Sequence, residues 1–254
     1  MAGLLAIWAC SELDAPRALS ANPEPAGGPT LSILTYNVNY ERLDAATVEA
    51  VRQAGADLVF LQEVTPAWQR ALAELAYSHR EFRFHGVDGG MAVLSRSPFE
   101  TVEWRPSPVA KFPAWCLRAE TPLGRMDVLA VHLHPPVDEN GLFTGFFTTG
   151  DEREAEIRDH LSCFGRDTDL AVGDFNEGEG SAIGRVTALG MVDVASRFPP
   201  VRRTWEMIVG STVLEGRPDH VFARAPLVPT RVEVLELGGS DHRPLRVTLQ
   251  LAAP

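Results

Sequence analysis

The chain has 254 residues, 45% of them hydrophobic, and no Ser/Gly linker or charge block divides it, which favours one domain with a large core. Its formal net charge of −11 combines 22 Arg with a single Lys, Lys111. That balance excludes a broad, sequence-independent grip on duplex DNA, which draws on many Lys and Arg contacts to phosphate; a nuclease whose bound cation inverts the potential inside one cleft stays open.

Met1 to Ala9 is a short apolar run ending at Cys10, and a Pro/Ala/Gly/Ser-rich tract follows to Pro29. This resembles a bacterial lipoprotein signal, with Cys10 as the lipidated residue and a disordered tether behind it. The expected division is therefore residues 1–29 as signal and tether and 30–254 as the folded domain. The expected location is exported or periplasmic, anchored to a membrane through Cys10. A cytoplasmic protein with an ordinary tail is the alternative, since no basic residue precedes the run and Trp8 is bulky where a small residue is usual. The run is too short to span a bilayer as a helix.

In chain order, Leu31 to Tyr36 reads as a strand stopping at Asn37-Val38-Asn39. Ala45 to Ala54 has helical apolar spacing, with Asp44 as N-cap and Gly55 as the stop. Asp57 to Leu61 is a buried strand ending in Gln62-Glu63-Val64, and a helix opening at Pro66 follows. Phe82 to His85, Met91 to Ser95, Cys116 to Glu120 and Met126 to Leu133 read as an antiparallel meander, the last strand ending in His132 and His134 before Pro135-Pro136. Asp151 to Phe164 is the longest helix, and Leu170 to Gly173 is a buried strand that delivers Asp174 and Asn176. Beyond it come a helix over Ser181 to Leu189, a Pro- and Arg-rich loop to Trp205, strands over Asp219 to Ala223 and Arg231 to Leu237, a tight loop at 238–242, and a closing strand over Leu245 to Leu251. Interleaved helices and hairpins make the class α+β, mixed rather than purely parallel. Cys10, Cys116 and Cys163 have no metal-binding spacing; with Cys10 lipidated, Cys116 and Cys163 could pair, but nothing in the sequence places them together, and two small buried apolar residues is the preferred reading.

Six polar clusters sit at the ends of apolar runs: TYNV (35–38), LQEV (61–64), VHLH (131–134), GDFN (173–176), RPDHVF (217–222) and SDH (240–242). Any one of them is more often a cap or a surface turn than a site, but six in this order are not. The order, together with GMAVLSR (90–96) and Thr204-Trp205, resembles the endonuclease/exonuclease/phosphatase superfamily over about Leu31 to Leu251. That superfamily includes pancreatic-type deoxyribonucleases, abasic-site endonucleases, neutral sphingomyelinases and inositol polyphosphate 5-phosphatases. The resemblance implies a four-layer α/β/β/α sandwich of two packed mixed sheets with outer helices, the strand ends meeting at one cleft.

It further implies Glu63 as the principal metal ligand, helped by Asn37 and Asp241, with Mg²⁺ as the cofactor and Mn²⁺ as a substitute. Oxygen ligands of this kind suit a hard cation that keeps part of its shell for water and phosphate. Asp174 and Asn176 would orient the attacking water and hold the phosphate, and His242 would be the general acid/base or a phosphate-contacting imidazolium with Asp219 accepting its other ring N–H. His132 matches a histidine that contacts the phosphate. His134, two residues further along the same face, and Arg202 and Arg203 ahead of Trp205, are candidate substrate contacts. His220 points to the opposite face and is structural; His79, His85 and His160 are expected at the surface.

The expected reaction is metal-assisted hydrolysis of a phosphoester, of nuclease or phosphodiesterase type. The substrate is a nucleic acid, or in a second reading a phospholipid or sugar phosphate, and a third reading is a non-catalytic binding module of the same fold. Phe143, Phe146 and Phe147, after His134, could stack a base, touch a lipid, or anchor the next helix. No protein partner is evident, and a monomer is expected.

Overall fold

The computed structural model describes residues 24–106, 111–137, 141, 144–145, 148–198 and 202–253. The first of two six-stranded sheets contains β1 (Leu31–Asn37), β2 (Leu58–Gln62), β3 (His79–Arg83), β4 (Met91–Ser95), β13 (Leu227–Val234) and β14 (Leu245–Leu251), in the order β13-β14-β1-β2-β4-β3. The second contains β5 (Phe99–Arg105), β6 (Ala114–Thr121), β7 (Gly124–His132), β8 (Leu170–Asp174), β9 (Met191–Asp193) and β12 (Asp219–Arg224), in the order β5-β6-β7-β8-β12-β9. β1 pairs parallel with β2 and β7 with β8, while β14 runs antiparallel to β1 and β12 to β8.

Alternation along the strands builds the layers. Ile33, Phe60, Trp115, Val128, Val172 and Val221 face one another between the sheets. Their neighbours Leu34, Val59 and Leu61 face helices α1 (Ala45–Ala54) and α2 (Pro66–Ala71) through Val51 and Trp68. Leu129, Val131 and Phe222 face α3 (Gly150–His160) and α4 (Ser181–Ala188) through Ile157, Ile183 and Val186. The result is the expected four-layer sandwich. Asp44 caps α1 by accepting the Thr47 N–H at 2.7 Å, a contact of about 1 kcal/mol, and Gly55 ends it in the left-handed conformation at φ 56°.

The expected meander is divided between the two sheets. At Ser97-Pro98 the chain passes from β4 in one sheet to β5 in the other, an edge strand whose exposed Glu100 and Glu103 hid it in the sequence. A separate hairpin, β10 (Trp205–Val209) with β11 (Thr212–Gly216), occupies residues with no expected element. α3 stops at His160 and gives way to two 3₁₀ turns, Leu161–Cys163 and Gly165–Asp167, shorter than the single helix expected to Phe164. Cys116 and Cys163 form a disulfide with Cα atoms 6.6 Å apart, so they are not two separate apolar fillers. His160, expected at the surface, is buried in α3 with no hydrogen-bond partner on either ring nitrogen, and burial lowers its pKa to about 4. His85 is exposed and His79 half-buried.

The tether expected to end at Pro29 is in part sheet. The Ala26 N–H donates to Leu251 O at 2.9 Å, the Ala253 N–H to Glu24 O at 2.8 Å, and Pro25 bridges Ala252, so the fold begins before residue 30. Lipidation of Cys10 and the three loop phenylalanines Phe143, Phe146 and Phe147 lie outside the described residues. Among the described residues no helix is long and apolar enough to cross a membrane. Relative to a chain that starts at Glu24, a chain that starts at residue 30 should be less stable by about 1–3 kcal/mol, because it lacks those edge bonds. Thermal melts of the two truncations check this; equal melting temperatures would mean that the edge contributes nothing.

Candidate active site

The parallel pairs place the C-terminal ends of β1, β2, β7 and β8 at one edge of the sandwich. β12 and β14 run the other way, so their starts arrive at the same edge. Asn37, His132, Asp174 and Asp219 continue the alternation of Ile33, Val128, Val172 and Val221, so all four point into the space between the sheets, where it opens as a cleft of about 170 Å³. Register brings three of them side by side: Asp174 is paired across the sheet with His132 on β7 and with Asp219 on β12.

Glu63 and Asn37 come from the other sheet. Asn37 Nδ2 donates to Glu63 Oε1 at 3.0 Å and to Asp174 Oδ2 at 3.1 Å, linking the sheets across the cleft. Its Oδ1 accepts the Asn39 N–H, so in this orientation it presents a donor to the carboxylates, not the oxygen expected of a metal ligand. Glu63 Oε2 accepts the Tyr40 N–H at 3.1 Å. The 240–242 loop closes the edge: Ser240 Oγ donates to Asn37 O, and Asp241 accepts from Asn39 Nδ2 at 2.8 Å and from Trp205 Nε1 at 3.3 Å. His242 Nδ1 lies 2.9 Å from Asp219 Oδ2, and His242 Nε2 is 3.7 Å from Asp174 Oδ2. Among the described residues only three non-glycines have positive φ: Asn39, Glu63 and Asn176. All three belong to this cluster, which marks where the backbone is held in an unfavourable region by its surroundings.

Burial raises the pKa of Glu63 and of Asp174; for Asp174 the neighbouring Asp219 adds to it, while His242 and the Asn37 amide oppose it. Burial alone would lower the pKa of His242, but Asp219 and Asp174 outweigh it and raise it to about 10. His132 goes the other way, far below its ordinary value, because it is buried and faces the His242 charge. The cleft therefore holds one imidazolium and one neutral imidazole. His132 Nε2 lies 3.8 Å from Asp174 Oδ2 and 4.0 Å from Glu63 Oε1, too far for hydrogen bonds, and its ring stacks on Phe112 with centroids 4.0 Å apart.

Other expected contacts fall elsewhere. β7 ends at His132, and the chain then bends toward α3, where the His134 N–H donates to Glu156; His134 does not line the cleft with His132. Arg202 is exposed, 3.6 Å from Glu236, and lines a different cavity, while Arg203 is half-buried away from the cleft wall. Asn176 lines the cleft, with Nδ2 donating to Leu133 O at 2.8 Å and its N–H to Asp174 Oδ1. His220 faces outward as expected, between Asp193 Oδ2 at 3.0 Å and Glu177 O at 2.9 Å. Asn39, Lys111 and Phe112 are at the site without having been anticipated. The alternating signal of a strand does not extend to turn residues whose partners are far away in sequence.

The model of the Endonuclease/Exonuclease/phosphatase family matches residues 34–242. The chain belongs to that family. As a member it is a metal-dependent phosphoric ester hydrolase. The fold is similar to TDP2 from D. rerio, solved with a single strand DNA product: TM-score 0.67, 20% identity, 88% of this chain and 100% of that one. It is also similar to an endonuclease/exonuclease/phosphatase from Beutenbergia cavernae (TM-score 0.62, 18% identity, 89% and 72% covered) and to a functionally unknown conserved protein from Enterococcus faecalis (TM-score 0.60, 20% identity, 87% and 100% covered). No curated protein matches the chain.

A divalent cation fits this family member's donor set. Asp174, Asp219 and His242 lie close enough together to share an ion, but His242 as an imidazolium already balances its two carboxylates and has no free lone pair. Glu63 is the better fit: it lines the cleft, its pKa is raised by burial, and each oxygen keeps a lone pair beyond the bonds to Asn37 and Tyr40. In the metal-free protein the His242 ring should titrate near pH 10, and in Asp219→Asn it should titrate well below that, since the charge that outweighs burial is lost. Histidine ring resonances followed by NMR check this, and an unchanged midpoint in the variant would remove Asp219 as the cause.

Proposed function

We propose that the chain hydrolyses phosphodiesters with Mg²⁺, Mn²⁺ substituting, in the manner of a nuclease or phosphodiesterase. The observation that carries this is the register of His132, Asp174 and Asp219 on three adjacent strands, with His242 laid over them. Glu63 would hold the cation with Asp241 beside it, and Asn37 would orient Glu63 through its Nδ2–H. The chemistry the ion supplies is polarisation of the phosphoryl group and stabilisation of the leaving oxygen.

The chain's own groups do the rest. Asp174 orients the attacking water and accepts its proton, a role suited to a carboxylate whose affinity for a proton is raised by burial. His242, kept charged by Asp219, presents Nε2–H to a phosphate oxygen as an electrostatic clamp. A ring that holds its proton to about pH 10 is a poor base near neutrality, so of the two roles expected for it, phosphate contact is favoured. His132, neutral and without a partner for Nε2 in hydrogen-bond range, is free to donate to the phosphate, and the second Asn176 Nδ2–H faces the same space.

A phospholipid or sugar-phosphate substrate is the second reading. The cleft wall favours the phospholipid of the two, since Phe112, Pro135, Val137, Trp205 and Met207 line it with apolar surface. The chain is read as a monomer and as exported, tethered through Cys10. The Cys116–Cys163 disulfide supports an oxidising compartment, where such bonds persist.

Activity on plasmid DNA, a chromogenic phosphodiester, a phosphomonoester and sphingomyelin should require a divalent cation and vanish in chelator. Glu63→Gln should raise the Mg²⁺ concentration needed for half-activity by about tenfold or more, with partial rescue at high Mg²⁺. Wild-type metal dependence in that variant would sink the assignment of Glu63.

Asp219→Asn and His242→Ala should each lower kcat by about a hundredfold, the lower end of a general acid/base or charge-clamp contribution. The double variant should be little worse than either, because residues acting as one unit are not additive. Multiplicative losses would show that the two side chains act separately.

A further inference from the structure

Glu156 lies on α3, outside the cleft, and its side chain is fully buried. Both carboxylate oxygens are used on backbone from two other segments. Oε1 accepts the Lys111 N–H at 2.8 Å and Oε2 accepts the His134 N–H at 2.6 Å. Lys111 and Phe112 lead into β6, and His134 follows the end of β7, so one side chain ties together the approach to one strand and the exit from its neighbour. Burial pushes the Glu156 pKa up to about 7 against the help of those two N–H groups and of Arg153, with Glu152 adding to the rise. Burying a carboxylate costs stability, and the two N–H groups it accepts from, which an apolar residue would leave unpaired, offset that cost.

What the two bonds hold is next to the attack site. Phe112, one residue from Lys111, stacks face to face on the His132 ring with an interplanar angle of 16°. His132, two residues before His134, has a buried Nδ1 with no hydrogen-bond partner, so no side chain of the described residues fixes the ring from that side. The ring is therefore set by Phe112 on its face and by the backbone on either side of Leu133.

We propose that Glu156 is a positioning residue, which by gripping the Lys111 and His134 amides seats Phe112 against His132 and fixes the His132 ring in the cleft. Its relevance to catalysis rests on the reading above that this ring meets the substrate phosphate. Glu156→Gln keeps the volume but leaves one acceptor oxygen for two N–H groups, the other position becoming a donor that faces a donor.

The experiment uses the full chain with isotope-labelled histidine. The His132 ring protons, assigned by their loss in H132Q, should resonate upfield of free imidazole in the wild type because they lie over Phe112. In E156Q they should move back toward the free value, and kcat on the chromogenic diester with Mg²⁺ should fall by about tenfold or more, with KM changing less. F112L breaks the same path from the cleft side without touching α3; the ring shift goes with the ring, so this variant is read by kcat, which should fall by about the same factor as in E156Q. The combined variant should be no worse than the worse single one.

Unmoved His132 resonances in folded E156Q overturn the proposal, whatever happens to the rate, because the group would then support only stability. Should E156Q fail to fold, E156D, which shortens the carboxylate's reach to the two amides, is read in the same way: unmoved His132 resonances in that variant overturn the proposal. A wild type inactive on every phosphoester tried would defeat the proposed function, while the His132 resonances would still decide whether Glu156 seats the ring.

Discussion

Asp174 stands between His132 and Asp219 only because β7, β8 and β12 are locked in one register around it, and that register depends on a glycine. Gly173, at φ 141°, passes so close to the Val131 carbonyl that any side chain there would collide with it. The close approach seats β8 against β7 one residue before the carboxylate, which sets His132 beside Asp174. β12 then brings Asp219 to the other flank. Two carboxylates and two imidazoles are thereby confined in a buried space where like charges repel strongly, and the structure relieves this unevenly. One imidazole is kept charged between the carboxylates and the other is kept neutral.

The first sheet, that of β1 and β2, supplies what the second lacks. Asn37 reaches across from β1 to bind both Glu63 and Asp174, so the distance between these two carboxylates across the cleft is fixed by one amide. Because the contact crosses the interface between the sheets, it depends on the packing of Ile33 and Phe60 against Val128 and Val172 below it. The core and the site are one assembly: the apolar layer sets how far apart the two halves of the cleft stand.

Behind the second sheet lies a buried polar network facing α3 and α4. Arg217 pairs with Asp193 at 2.7 Å, His220 joins Asp193 to Glu177 O, and Arg153 holds Glu177 at 3.0 Å. Burial acts to raise the Asp193 pKa, yet Arg217 and His220 prevail and hold it far below the usual carboxylate range. Asp219 and Asn176 are each followed in sequence by a member of this network, His220 and Glu177, so these two cleft residues are backed by neighbours anchored in it. Removing one member of such a set would leave an uncompensated buried charge, at a cost of about 3–5 kcal/mol.

The sequence by itself determined the strands that end in chemistry and the face each residue takes. An alternation of two is a local property of the chain, so Asp219 inward and His220 outward were legible, as were Asp44 capping α1 and the family resemblance carried by the six clusters. Partnership between distant segments was decided only by the tertiary structure. His134 shares the parity of His132 but leaves the cleft because the strand ends and Glu156 takes its amide, 22 residues away in the chain. Arg202 precedes a cleft residue and yet turns to Glu236, and the meander divides between sheets at Pro98 because sheet membership is settled by which core a strand completes. Asn37 shows its N–H groups to the carboxylates, not its oxygen, since the turn at Asn39 claims that oxygen first. Periodicity fixes direction from a residue's own backbone; a hydrogen bond needs the position of a second backbone, and only folding supplies it.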